Sequence, residues 1–162
     1  MPEPREAQSA APDPAPGEGW LFCVRAGAGR YGFDAALVSE VVRLGPLTRL
    51  PGAPAALPGV FTHRGEVLAV LDLCRVLGLP AAPMGLGARA AVLRIGAWRL
   101  ALLADAVLGL VQVPAAAQEP APAQGGPAAR WLRGVGRAGA EPVAILDLPA
   151  LVQDARQRSF AP

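Results

Sequence analysis

The chain has 162 residues, 52% of them apolar, and its 15 basic and 13 acidic residues leave a formal charge of +2. That length supports one domain or two small lobes, with more than enough apolar surface for a core and some to spare for a contact face. So small a charge, carried by scattered arginines with no lysine at all, excludes an electrostatic footprint for nucleic acid, and no apolar run reaches the roughly 20 residues of a membrane span.

Residues 1–18 alternate Pro and Ala with charges and lack the basic start and apolar stretch of a secretion signal, so a disordered tail is expected there. From Trp20 onward the signals are those of β structure. Short apolar runs predict strands over 20–25, 31–34, 38–44, 59–63, 67–71, 89–95, 99–103, 107–113, 132–135 and 142–146. Gly27, Ala28 and Gly29 punctuate the first pair as a hairpin, and the Pro/Ala/Gln/Gly stretch 114–128 predicts a long loop. Many short strands with frequent turns point to a sandwich or barrel.

Residues 57–77, LPGVFTHRGEVLAVLDLCRVL, recur without a gap at 132–152, LRGVGRAGAEPVAILDLPALV, with 8 of 21 positions identical. A weaker echo precedes each copy, RYGFDAALVSEVVRL from Arg30 against RLALLADAVLGLVQV from Arg99. Self-similarity at a fixed offset predicts one architectural unit built twice. The division expected from it is a first lobe over about 19–85 and a second over about 86–152, inside one domain spanning 19–158. Positions shared by the copies are then fold requirements, and positions found in one copy only are candidates for function.

Asp72 and Asp147 each follow an apolar strand and precede aliphatics at helical spacing, which predicts two N-caps rather than a catalytic pair. The first helix ends at Gly78 and Pro80, and the second covers about 147–158. Gly27, Gly29 and Gly32 spell G-x-G-x-x-G, but a strand follows instead of a long helix and 48–58 holds no acid, so a turn is the better reading. His63 is the only histidine and aligns with Ala138 of the second copy. No nucleophile motif accompanies it, which leaves no catalytic residue to assign. Cys23 and Cys74 stand alone in apolar elements and are expected as buried thiols, with no metal site between them. Arg64 sits at a predicted hairpin turn opposite Gly139, as either a solvated turn charge or a multi-donor contact to a partner protein.

GVFTHRGEVLAVLDL from Gly59, YGFDAALVSEV before it, TRLPGAPAALPG between them, and VLGLVQV then WLRGVGR-x4-PVAILDL after it together resemble the CheW-type chemotaxis coupling family, over about 20–151. The resemblance implies a mainly β fold: two small five-stranded SH3-like barrels around a shared hydrophobic core, with a few short helices. It implies a non-enzymatic adaptor without cofactor, cytoplasmic and associated with chemoreceptor arrays. Such an adaptor binds the cytoplasmic tip of a methyl-accepting chemoreceptor and the regulatory domain of a CheA-type histidine kinase. Carried over by position, Phe22, Ala35, Val38 and Val41 line the first-lobe side of a receptor groove, and Val107 and Leu110 face them from the second. Arg64 matches the Arg of the family's N-L-R-G turn, and Leu44 and Leu47 lie near the surface offered to the kinase. Thr62-His63-Arg64-Gly65 departs from N-L-R-G, the stretch 80–87 (PAAPMGLG) is apolar where relatives carry polar residues, and the N-terminal extension is rich in Pro. A second reading follows from these departures, a divergent relative that binds receptors but not the kinase and modulates array assembly.

Overall fold

Strand after strand in this chain is apolar on both faces, and each face goes to a different core. The computed structural model describes residues 19–159 except Leu86, Gln124 and Pro127; the expected tail, 1–18, lies outside them. In chain order the elements are β1 (Trp20–Ala26), β2 (Gly29–Asp34), β3 (Val38–Arg43), β4 (Gly59–His63), β5 (Glu66–Asp72) and α1 (Leu73–Val76). There follow β6 (Arg89–Ile95), β7 (Trp98–Leu103), β8 (Ala106–Gln112), β9 (Glu119–Pro120), β10 (Leu132–Ala138), β11 (Glu141–Leu146) and α2 (Leu148–Ser159). The fold is mainly β, in a six-stranded sheet ordered β8-β1-β2-β11-β10-β9 and a five-stranded sheet ordered β3-β6-β7-β5-β4. The sixth strand is the short β9, which pairs with β10 inside the stretch expected as loop.

The sheets correct the expected lobe boundaries. By position in the repeat, β1 and β2 correspond to β6 and β7, β3 to β8, β4 to β10, and β5 to β11. Each sheet takes three repeat strands from one copy and the leading hairpin from the other, and the six-stranded sheet adds the short β9. Parallel pairing joins the exchanged parts at matching registers, Ala144 beside Tyr31 in one sheet and Ala69 beside Leu100 in the other. Segments 19–85 and 86–152 therefore do not close on themselves; they have swapped hairpins, as two subunits do in a domain-swapped dimer. A repeat names the unit, but it does not say whether that unit pairs with itself or with its copy.

Alternation along the strands sorts side chains into three cores. Leu21 and Cys23 enter the interior of the six-stranded sheet with Val113, Val143 and Ile145. Ala90, Val92, Ala101 and Leu103 fill the five-stranded one with Phe61, Leu68 and Val70. The intervening residues of the same strands, Phe22, Val24, Ala91, Leu93, Leu100 and Leu102, meet between the sheets with Leu146, Leu148 and Leu151. This central core holds the two lobes together.

The residues common to both copies have structural work. A Cβ on Gly59 would come within 2.6 Å of the Thr48 carbonyl oxygen, and one on Gly134 within 2.6 Å of that of Glu119. Both glycines let a crossing segment approach the strand backbone, Thr48 bridging to Val60 in one copy and Glu119 to Val135 in the other. Asp72 Oδ1 accepts from the Arg75 N–H (3.3 Å) and Asp147 Oδ1 from that of Ala150 (3.1 Å), so both are helix caps as expected. Gly27 and Ala28 form the two-residue turn of the first hairpin, Ala26 facing Gly29 across it, which accounts for the glycine-rich motif.

Candidate functional site

β3 and β8, equivalent in the repeat, are both edge strands. β8 also approaches β6, and the 3₁₀ turn Ala35–Leu37 touches both β1 and β6, so the two edges flank the pair β1 and β6. In β3, Val38 opposes Leu93 and Val41 opposes Ala91; in β8, Leu110 opposes Phe22 and Val107 opposes Val24. Residues directly opposed in an antiparallel pair share a face, and Leu93, Ala91, Phe22 and Val24 all belong to the central core. The four aliphatics Val38, Val41, Val107 and Leu110 thus project along the seam between the lobes.

Residues three apart share a face only because each ladder carries a bulge, one between Val38 and Glu40 and one opposite Leu108, between Cys23 and Val24. Ser39, the bulged residue of β3, donates its hydroxyl to the Val92 carbonyl at 3.1 Å. Val38 and Val107 are half-buried against the core, whereas Val41 and Leu110 remain 40% and 49% exposed. Ala35 is half-buried beside them. The structure brings these five residues to one seam.

Two of the expected contact residues are not on a surface. Phe22 lies in the central core, its ring 5.7 Å from that of Phe33, and Leu44 lies in the core of the five-stranded sheet. In β1 both faces are apolar, so position alone did not distinguish the outward from the inward side of Phe22, whereas Leu44 falls on the buried side with Val42, past the exposed Arg43. Leu47 is half-buried at the rim of that core.

Arg64 stands at the tip of the β4–β5 hairpin, where His63 faces Glu66 across the two-residue turn Arg64-Gly65. Both turn residues have positive φ, 49° at Arg64 and 80° at Gly65, and Arg64 is the sole non-glycine in that region among the described residues. A side chain there costs on the order of 1 kcal/mol. Its guanidinium is 77% exposed and reaches back to Glu40 of β3 at 3.4 Å. Glu40 is also hydrogen-bonded by His63 Nε2 at 3.1 Å and approached by Arg99 at 3.9 Å, while Arg99 is paired with Glu66. Three cationic or cation-capable side chains thus share one partly buried carboxylate beside the aliphatic seam. Glu40 was missed in the sequence, although the echo aligns it with Gly109, which marks it as specific to one copy.

The two cysteines lie in the cores. Burial pushes the Cys23 thiol up to about 11, and burial, then the carboxylates of Asp105 and Asp72, does the same for Cys74. Both are free and buried, and both are expected to resist iodoacetamide at about pH 8 until the chain unfolds. Among the described residues no cluster of His, Cys, Asp or Glu could hold a metal ion, and no helix is long and apolar enough to cross a membrane. The seam offers apolar anchors and a multi-donor guanidinium, which is chemistry for holding a partner.

The family model described as CheW-like domain matches residues 21–156. The chain is 43% identical over 143 residues to Protein FrzA of Myxococcus xanthus, covering 87% of this chain and 89% of that one. It is 25% identical over 146 residues to Chemotaxis protein CheW of Treponema pallidum (strain Nichols), covering 87% and 86%. The crystal structure of scaffolding protein TtCheW from Thermoanaerobacter tengcongensis superposes with a TM-score of 0.74 at 23% identity, covering 83% of this chain and 92% of that one.

Proposed function

The chain belongs to the CheW-like domain family, and from that premise we propose that it is a non-catalytic adaptor coupling a methyl-accepting chemoreceptor to a CheA-type histidine kinase in cytoplasmic chemosensory arrays. The seam between β3 and β8 takes the helical tip of the receptor. The observation that carries this reading is the pair of bulged edge strands presenting Val38, Val41, Val107 and Leu110 together, next to a strained and exposed Arg64. A helix laid on such a seam seats its apolar side chains on aliphatic anchors, and a fork of N–H donors at one end sets its register.

The adaptor's work is then positional. Receptor and kinase are held at fixed geometry, so a receptor motion alters kinase activity through differential contacts, with no bond made or broken by the adaptor. The kinase regulatory domain docks near Leu47. Arg64→Glu is expected to lower co-sedimentation with receptor–kinase assemblies at least about tenfold while the circular dichroism stays unchanged. Undiminished assembly would overturn the reading.

A second reading has its own support. With Leu44 buried, one of the two expected kinase anchors is gone, which favours a scaffold that binds receptors but not the kinase and so reshapes the array. A pull-down with isolated kinase separates the two: retention supports coupling, and its absence beside intact receptor binding supports the second.

A further inference from the structure

The five-stranded sheet carries another apolar surface, away from the edge strands. Two contiguous hollows of about 340 and 240 Å³, sharing Leu50 and Leu57, run between the 49–58 segment, the outer face of β5 and β7, and α2. Their floor includes Leu71, Trp98, Leu100 and Val152. Trp98 is 51% exposed, and the still more exposed Val67 of β5 extends the same surface beyond the hollows.

Every charged side chain lining the hollows is an arginine: Arg49 and Arg75 in one, Arg99 and Arg156 in the other. Arg75 is held by Asp72 and Arg99 by Glu66. Arg49 and Arg156 have no carboxylate partner among the described residues, and the Arg156 guanidinium lies over the Trp98 ring, 3.4 Å from its centroid. An apolar floor with a wholly cationic rim is complementary to apolar side chains interspersed with carboxylates. β5 and β7 each have a strand on both sides, so no free ladder exists for an extended peptide. Recognition must run through side chains, which suits a helix.

We propose that this groove is a docking site for an acidic amphipathic helix of a partner protein. Its large apolar side chains rest on Leu50, Leu57 and Trp98, and its carboxylates meet Arg49 and Arg156. The proposal does not depend on the receptor seam, which lies at the edge strands.

The test uses the full chain and a synthetic helical peptide of about 16 residues, with Leu and Phe on one face and Glu and Asp on the other. A control peptide replaces each acid by Lys. The acidic peptide is expected to bind and the Lys peptide not to, with affinity falling steeply as salt rises from about 50 to about 500 mM. The charge reversal Arg49→Glu with Arg156→Glu is expected to weaken binding at least about tenfold, as is Leu50→Ser with Trp98→Ser. Val41→Glu, at the receptor seam, leaves binding unchanged. Should the apolar double variant misfold, the charge reversal still decides, since it alters only arginine side chains on the groove's rim. Equal binding of both peptides, or indifference to charge reversal, would overturn the proposal. So would a sedimentation shift showing that a second copy occupies the groove. Binding that emerges only after Glu3, Glu6, Asp13 and Glu18 are neutralised would overturn it as well, because the chain's own N-terminal segment would then hold the site.

Discussion

The tips of the β4–β5 and β10–β11 hairpins are the same piece of architecture carrying two different sets of side chains. Both carry a glutamate just past the turn, Glu66 and Glu141, and both pair it with the equivalent arginine of the exchanged hairpin, Arg99 and Arg30. There the likeness ends. The second tip has Ala138 and Gly139, with a positive φ of 64° at the glycine, and Gly109 on its neighbouring edge strand. The first has His63, Arg64 and Glu40 at those three places, joined in one network. The shared Glu–Arg pair ties hairpin to hairpin, while His63, Arg64 and Glu40, which have no counterpart in the second copy, lie together beside the seam. On the proposed reading, duplication separates the requirements of folding from those of recognition inside a single chain.

The deepest way to break that parallel is in the central core, where Phe33 and Leu102 occupy equivalent, fully buried positions. Phe33→Ala or Leu102→Ala is expected to cost about 2–5 kcal/mol in denaturant unfolding. Each is expected to give one transition, because the exchanged hairpins leave neither lobe independent. The caps come next: Asp72→Ala and Asp147→Ala should each cost about 1 kcal/mol, and a similar loss in both would show that the copies use them alike.

The turns then sharpen the contrast with opposite signs. Gly139→Arg puts a side chain where φ is positive and should cost about 1 kcal/mol; on the proposed reading it adds no receptor binding, since Gly109 supplies no carboxylate to hold it. Arg64→Gly relieves that strain and should raise stability by about 0.5 kcal/mol, the added freedom of glycine in the unfolded chain offsetting part of the gain. On the proposed reading it also abolishes receptor co-sedimentation. Smallest are the shared surface pairs: Arg30→Gln should change stability by less than about 1 kcal/mol.

Much of this was legible in the residues. Apolar runs located β4 and β6 to the residue, and the repeated Asp in each LDL placed both helix starts, because strands and caps are local. The exchange of hairpins was not legible, since the register of Tyr31 with Ala144 depends on which of two nearly equivalent partners the strand meets. Phe22 was assigned to a surface for a related reason. In β1 both Leu21 and Phe22 are buried, one in a sheet interior and one between the lobes, so alternation had no polar side by which to read direction. The bulges mattered as well. Val38 and Val41 share a face only because Ser39 is set out of register, a shift that no spacing rule for strands anticipates. Glu40 is one of several charged residues without a charged counterpart in the other copy, Asp34, Arg43, Arg64 and Arg75 among them, so the comparison narrows the search to it without singling it out.

The hairpin exchange also bears on how the molecule comes into being. Tyr31 must wait for Ala144, more than a hundred residues later, before β2 gains its parallel neighbour. At about 5–20 residues per second on the ribosome, the opening hairpin stands without that neighbour for on the order of 10 s, its apolar face uncovered. The six-stranded sheet therefore cannot complete itself until β11 has been made, which leaves that face exposed for most of the time the folded part is being synthesised.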